Sequence, residues 1–259
     1  MIRAGDIDLA CRVEGPDDAP VVLLVHGVLT SHRIWDGVAA RLAGAWRLVR
    51  YDLRGHGNSG ATSSPYTMVQ LALDALSVLD ALGIGRAHVV GTSLGGMIGQ
   101  VLGAAHGDRL VSLTLANTTV LQPAPKAWEE RAAVAREKGV AALVDATLQR
   151  WFTPTCLREQ PALIEAVRRE ALRTSVDGFV GCAAALRDLD HRSLLPRIRM
   201  PTLVLAGEHD TSTPPADARE LERAIPDARI ATLPASHQAA AEVPEAFAAA
   251  WTRFQRQHR

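Results

Sequence analysis

The sequence predicts an α/β fold: a mostly parallel sheet, eight strands by this reading, with helices on both faces and one helical insertion. Three observations lead there. Short apolar runs closed by glycine alternate with helical patterns. Those runs are apolar throughout, as strands buried on both faces are. A long middle stretch, residues 121–196, lacks such runs altogether.

Taken in order, residues 7–13 alternate apolar with polar and are expected to pair as an antiparallel edge hairpin. Residues 20–27 (PVVLLVHG) form the first fully buried strand, and residues 46–53, 87–93 and 110–116 repeat the form. Between them, Met68, Leu71, Ala72, Ala75, Leu76, Leu79 and Leu82 recur at helical spacing, with Gly83 as a stop. Strands alternating with helices imply right-handed crossovers and hence a parallel sheet. Residues 121–196 are rich in Ala, Arg, Glu and Leu, and Pro123, Pro125, Pro154 and Pro161 punctuate three to five helices. Strands resume at residues 201–207 and 228–233, and an amphipathic helix follows from Pro244. The chain is therefore expected to divide into a core, residues 1–120 and 197–259, and a helical cap, residues 121–196.

Composition excludes several function classes. With 259 residues the chain buries a substantial core without staples. Its 28 Lys+Arg balance 28 Asp+Glu, which gives no general attraction to nucleic acid or an anionic membrane. Only two of the basic residues are lysines, Lys126 and Lys138, and neither follows a glycine-rich loop. That argues against Schiff-base and P-loop chemistry. Cys11, Cys156 and Cys182 are odd in number and far apart, so they read as buried or partly buried thiols rather than as disulfides or zinc ligands. The first residues meet Asp6 before any long apolar run, and no apolar stretch is long enough to span a bilayer. A reducing, cytoplasmic setting is the expectation.

The chemistry starts at Gly91-Thr92-Ser93-Leu94-Gly95, followed by Gly96, where a buried strand meets a helical pattern. In such an elbow the serine takes a strained turn conformation, and the flanking glycines let neighbouring backbone pass closely. The helix N-terminus behind it presents N–H groups to an oxyanion. A serine needs a base and the base an orienter, expected downstream in the order Ser, Asp, His. Asp210 stands just past the strand of residues 201–207, and His237 just past the strand of residues 228–233. The other acid position, after residues 110–116, carries Asn117-Thr118-Thr119 and no carboxylate. Glu208 is placed to point away, and His209 reads as a loop residue. The second oxyanion donor is expected from His26-Gly27-Val28, the Val28 N–H joining that of Leu94, with His26 itself structural. Gly55-His56-Gly57-Asn58-Ser59-Gly60 matches a dinucleotide fingerprint in letters, yet Ala-Thr-Ser-Ser-Pro follows where a helix must open. It reads as a tight surface loop. No metal-ligand spacing occurs among the histidines.

These motifs, with Asp52-Leu53-Arg54 ahead of the glycine loop, resemble the α/β-hydrolase superfamily over nearly the whole chain. More narrowly, Ser93-Leu94-Gly95-Gly96-Met97, Ala116-Asn117-Thr118, Trp151-Phe152-Thr153-Pro154 and the run from Gly181 to Asp190 (GCAAALRDLD) resemble 3-oxoadipate enol-lactonases. His26-Gly27-Val28-Leu29 has instead the form commoner in esterases. The resemblance implies a cap over the carboxyl edge of the sheet, with the pocket between. Trp128, Trp151, Phe152 and Phe179 are candidates to line it, and Arg150 or Arg187 to meet a substrate carboxylate. The expected activity is hydrolysis of a small carboxylic ester or lactone, enol-lactone included, by Ser93, His237 and Asp210 without metal or organic cofactor. Perhydrolysis, carbon–carbon bond hydrolysis and a ligand receptor with a slow triad stay open.

Overall fold

The chain folds into β1 (Ile2–Ala4), β2 (Ile7–Leu9), β3 (Cys11–Glu14), β4 (Val21–Val25), α1 (Asp36–Leu42), β5 (Arg47–Tyr51), α2 (Met68–Ala81), β6 (Ala87–Thr92), α3 (Leu94–Ala105) and β7 (Leu110–Ala116). Five helices follow: α4 (Pro125–Lys138), α5 (Ala141–Trp151), α6 (Pro154–Glu159), α7 (Pro161–Ala171) and α8 (Val176–Arg187). The remainder is β8 (Thr202–Gly207), α9 (Pro215–Ala224), β9 (Ala228–Leu233), α10 (Ala239–Glu242) and α11 (Pro244–Gln257). The structure is a computed structural model and describes residues 1–258.

The main sheet has seven strands in the order β3-β5-β4-β6-β7-β8-β9, parallel except for β3 at the edge. The expected count of eight is corrected by the fate of residues 7–13. Their chain breaks at Ala10, whose N–H is taken by Ser59 Oγ and whose carbonyl takes the Asp52 N–H. β2 therefore pairs only with β1 in a separate hairpin, while β3 joins β5. Strands β6, β7 and β8 are almost wholly buried, which is why their sequences carry apolar residues on both faces. Against one face pack Trp35 and Phe247, with ring centroids 5.6 Å apart, and Trp46 and Trp251 at 4.8 Å.

Order reverses at β4, with β5 on one side and β6 on the other, and a crevice opens at the carboxyl ends of strands at such a point. Register aligns those ends: Gly91 is opposite Val25, Ala116 opposite both Thr92 and Leu205, and Gly207 opposite Leu233.

α4–α8 lie between β7 and β8. Pro125, Pro154 and Pro161 open helices there, where a missing N–H costs nothing. Leu121 and Asp190 form a bridge where the chain leaves and returns. On the far side α8 touches the core at Gly55, which has φ +75°. A methyl on Gly55 would sit 2.2 Å from Gly178 Cα.

Two glycine substitutions separate backbone strain from contact. Gly83, φ +66°, has open space where a Cβ would go, so Gly83→Ala should cost about 1 kcal/mol. Gly55→Ala meets α8 backbone as well and should cost about 3 kcal/mol or more. Urea unfolding midpoints measure both, and equal losses would deny that α8 rests on Gly55.

Candidate active site

Ser93 ends the β6 turn at φ +54°, ψ −120°, a backbone that only a tightly packed turn sustains. Its N–H bonds to the Ala116 carbonyl at 2.9 Å, and its own carbonyl accepts the Thr118 hydroxyl at 2.8 Å. Gly91 and Gly95 make the turn possible: a methyl on either would lie 2.1 Å from Gly95 O or 2.2 Å from Val25 O. Gly27, at the end of the neighbouring strand, lies against the serine, with room for a Cβ only 3.1 Å from Ser93 Cβ.

The turn aims the hydroxyl at His237. His237 Nε2 is 3.1 Å from Ser93 Oγ, and His237 Nδ1 is 2.8 Å from Asp210 Oδ2. All three side chains are buried, while Glu208 and His209 beside the acid are exposed. Asp210 Oδ1 accepts the N–H groups of Ser212 and Thr213; Oδ2 accepts the Thr213 hydroxyl and Asn117 Nδ2. Burial alone would raise this carboxyl, but His237 beside it and those hydrogen bonds hold it well below the usual carboxylate range.

Asn117, φ +45°, occupies the acid position that sequence found empty. Its amide donates to Asp210 at 3.0 Å and to the Ser236 carbonyl at 3.1 Å, tying the acid to the histidine's loop. Its role was hidden because an amide there reads as the absence of a carboxylate.

Val28 and Leu94 are both buried beside this group. Leu94 is the first residue of α3, so its N–H has no carbonyl within its own helix. The Val28 loop is held from behind. His26 Nδ1 donates to the Gly27 carbonyl at 2.7 Å, and its Nε2 accepts the Leu53 N–H at 2.9 Å. His56 Nδ1 donates to the Arg54 carbonyl, and its Nε2 accepts the N–H of Leu29, itself at φ +56°. The glycine loop around His56 is thus a surface loop only in part: Gly55 and His56 are buried, while Asn58 and Gly60 are exposed. His56 is fully buried, because a neutral imidazole there fixes the strand-end backbone next to the serine. Burial lowers both histidines, His56 to about 4, and His26, further opposed by His56, to about 3.

The predicted pocket residues fall in different places. The Trp151 ring lies 5.8 Å from that of His237. Phe152 and Phe179 are buried, and Trp128 packs against Phe179 at 6.4 Å. Arg187 pairs with its neighbour: it donates twice to Asp188 at 2.7 Å, in a depression shared with Ser64, Pro65 and Glu129. Arg150 is exposed.

Sequence missed Arg131. Its guanidinium lies 4.4 Å over the Trp128 ring and 5.7 Å from that of Phe179, and bonds to Thr147 Oγ1 at 3.2 Å. Among the described residues no carboxylate comes within 4.0 Å of Arg131 or Arg150. Burial, with Arg150 nearby, lowers Arg131 to about 10, so it stays cationic at neutral pH. Thr147 stands one helical turn before Trp151, which places this unneutralised cation close to the ring over His237. The signal available in sequence was the Trp128–Arg131 spacing of one turn on α4. Cys11, Cys156 and Cys182 are free thiols, Cys11 partly buried and the others buried. Among the described residues no group of His, Cys, Asp and Glu is arranged to hold a metal, and no helix is long and apolar enough to cross a membrane.

A family model for the alpha/beta hydrolase fold matches residues 20–242. The chain is 32% identical over 246 residues to 3-oxoadipate enol-lactonase 2 of Acinetobacter baylyi, covering 95% of this chain and 92% of the relative. It is also 32% identical over 252 residues to the rhodomycin D methylesterase DnrP of Streptomyces peucetius, covering 84% of each. The crystal structure of an enol-lactonase from Burkholderia xenovorans LB400 superposes with a TM-score of 0.95 at 37% identity, covering 97% of this chain and 98% of that one.

The buried histidines make stability depend on pH. Between the ordinary value of 6.5 and the lowered values near 3 and 4, the unfolded chain binds protons that His26 and His56 refuse when folded. Their contribution is complete above pH 6.5 and is lost as pH falls through that window, at up to about 1.4 kcal/mol per pH unit for each. His88 and His191, lowered by burial to about 4, act in the same direction. Urea midpoints should therefore drop steeply from pH 7 to pH 4.5, and a flat profile would contradict neutral, buried imidazoles.

Proposed function

The chain belongs to the α/β-hydrolase family, and from that premise we propose that it is a serine hydrolase of a small carboxylic ester or lactone carrying an acidic group. The observation that carries this reading is the run Ser93–His237–Asp210, at 3.1 Å and 2.8 Å, at the topological switch point of the sheet. His237 Nε2 takes the Ser93 proton as Oγ attacks the carbonyl carbon. The N–H groups of Val28 and Leu94 receive the oxyanion. His237 passes the proton to the leaving oxygen, then draws one from water as its oxygen attacks the acyl carbon, and returns that proton to Ser93 Oγ as the acid leaves. Asp210, ionised and held by five donors, keeps the imidazole oriented and stabilises its protonated form.

The acidic group follows from electrostatics. An arginine half-buried on two aromatic rings, with a second arginine near and no carboxylate within 4.0 Å among the described residues, has no counter-charge from those residues. A substrate carboxylate compensates it. That chemistry fits a carboxylated lactone better than a neutral ester, in keeping with a relative named as a 3-oxoadipate enol-lactonase. Free thiols fit a reducing, cytoplasmic setting.

Ser93→Ala should lower turnover of p-nitrophenyl acetate and of lactones at least about 10³-fold, and Asp210→Asn by about 10²- to 10⁴-fold. Retention of wild-type turnover in Ser93→Ala would end the mechanism. Arg131→Met should reduce kcat/KM about 10- to 100-fold on carboxylated lactones, the worth of one charge-assisted hydrogen bond, and only slightly on neutral esters. Equal losses on both substrate types would reject the role of Arg131 while leaving the serine chemistry in place.

A further inference from the structure

Glu242 is buried, and its carboxylate has no cationic partner within 4.0 Å among the described residues. Its donors are neutral and come from two separate segments. Oε1 accepts the Thr153 hydroxyl and, at 3.2 Å, the Thr153 N–H; Oε2 accepts the Ser236 N–H at 3.0 Å. A buried carboxylate without a counter-charge is costly, and a well-packed apolar residue of similar volume avoids that cost. Stability alone therefore explains this glutamate poorly.

What it joins is more telling. Ser236 precedes His237, and Thr153 follows the Arg150–Trp151–Phe152 stretch at the end of α5. The same two segments meet twice more: Ser236 Oγ donates to the Arg150 carbonyl at 3.1 Å, and the Gln238 N–H to the Trp151 carbonyl at 3.1 Å. The residues on either side of His237 are thus held by the helical insertion, and from the core side by Asn117 on the Ser236 carbonyl. Glu242 binds both segments through one side chain. A glutamine cannot replace it, since its NH₂ would face an N–H that needs an acceptor.

Accepting the serine-hydrolase reading above, we infer that Glu242 is a positioning residue: it locks the His237 loop to the insertion and so sets the alignment of His237 with Ser93. The imidazole has one productive placement, and a displacement approaching 1 Å costs about 10²-fold in rate. The position of the insertion that receives substrate is thereby coupled to the competence of the base.

The test compares wild type with Glu242→Gln, Thr153→Val, Thr153→Ser and the Glu242→Gln/Thr153→Val double variant. Two measurements are made: ester turnover, and the rate at which phenylmethanesulfonyl fluoride labels Ser93. The second needs the Ser–His alignment but little of the pocket. Glu242→Gln should lower kcat and the labelling rate together, about 10- to 100-fold, with KM within about threefold. Thr153→Ser, which keeps both donors, should behave as wild type. Thr153→Val should fall between, and the double variant should be no worse than Glu242→Gln. Near-ultraviolet circular dichroism checks folding, and if Glu242→Gln fails to fold, Thr153→Val carries the comparison. Wild-type labelling in a folded Glu242→Gln, or in that Thr153→Val, overturns the inference and leaves the hydrolase reading intact. A wild-type protein that Ser93-directed reagent does not label overturns both.

Discussion

One backbone conformation governs the carboxyl edge of this sheet: Ser93 at φ +54°. Such a residue costs on the order of 1–3 kcal/mol and persists only where its surroundings over-determine it. Here β7 supplies the determination. Ala116 and Thr118 bind both peptide groups of the serine, and Gly91, Gly95 and Gly96 remove every side chain that would keep β4 and β7 away. The strain is thus distributed over an almost wholly buried set of strands. What it yields is a hydroxyl standing clear of the sheet, opposite the one edge where the loops after β8 and β9 also end.

The elements that sequence made legible are those whose physics is local or periodic. β4, β6, β7 and β8 announce themselves because burial on both faces leaves only apolar residues, and Ser93 because glycines must surround it. Asp210 and His237 were found because the parallel register sends successive strand ends to one edge. The unread parts are tertiary. Nothing local says that Ala10 gives its peptide groups to the loop of residues 52–60 and so splits one alternating run into β2 and β3. His56 looked like a loop residue because its partner, the Leu29 N–H, is 27 positions away. Glu242 was invisible for the same reason, its partner Thr153 being 89 positions away. Among the pocket arginines, location in the chain suggested Arg187, but an adjacent Asp188 neutralises it, whereas Arg131 has no acid near.

Charge is arranged with economy around the site. The imidazoles that hold the Val28 loop, His26 and His56, are neutral by burial, so the loop is built from hydrogen bonds between uncharged groups. The acid is ionised and saturated with donors. A positive charge without a carboxylate partner sits on α4, over the Trp128 ring. On the proposed function, an anionic substrate is attracted by the insertion and not by Ser93 or His237.

That separation explains why the insertion must be fastened to the histidine loop and not merely lie upon it. If Arg131 draws a carboxylate into place, the carbonyl reaches Ser93 only where α4 and α5 are held at the correct distance from the sheet. α5 ends in the stretch whose carbonyls at Arg150 and Trp151 receive Ser236 and Gln238. A shift of α5 would pull on Ser236 and Gln238, on either side of His237, and so disturb the placement of the imidazole against Ser93. The arrangement trades independence of the two parts for registration between them. In a site where the anchor and the reacting bond belong to one small molecule, registration is the quantity that limits rate.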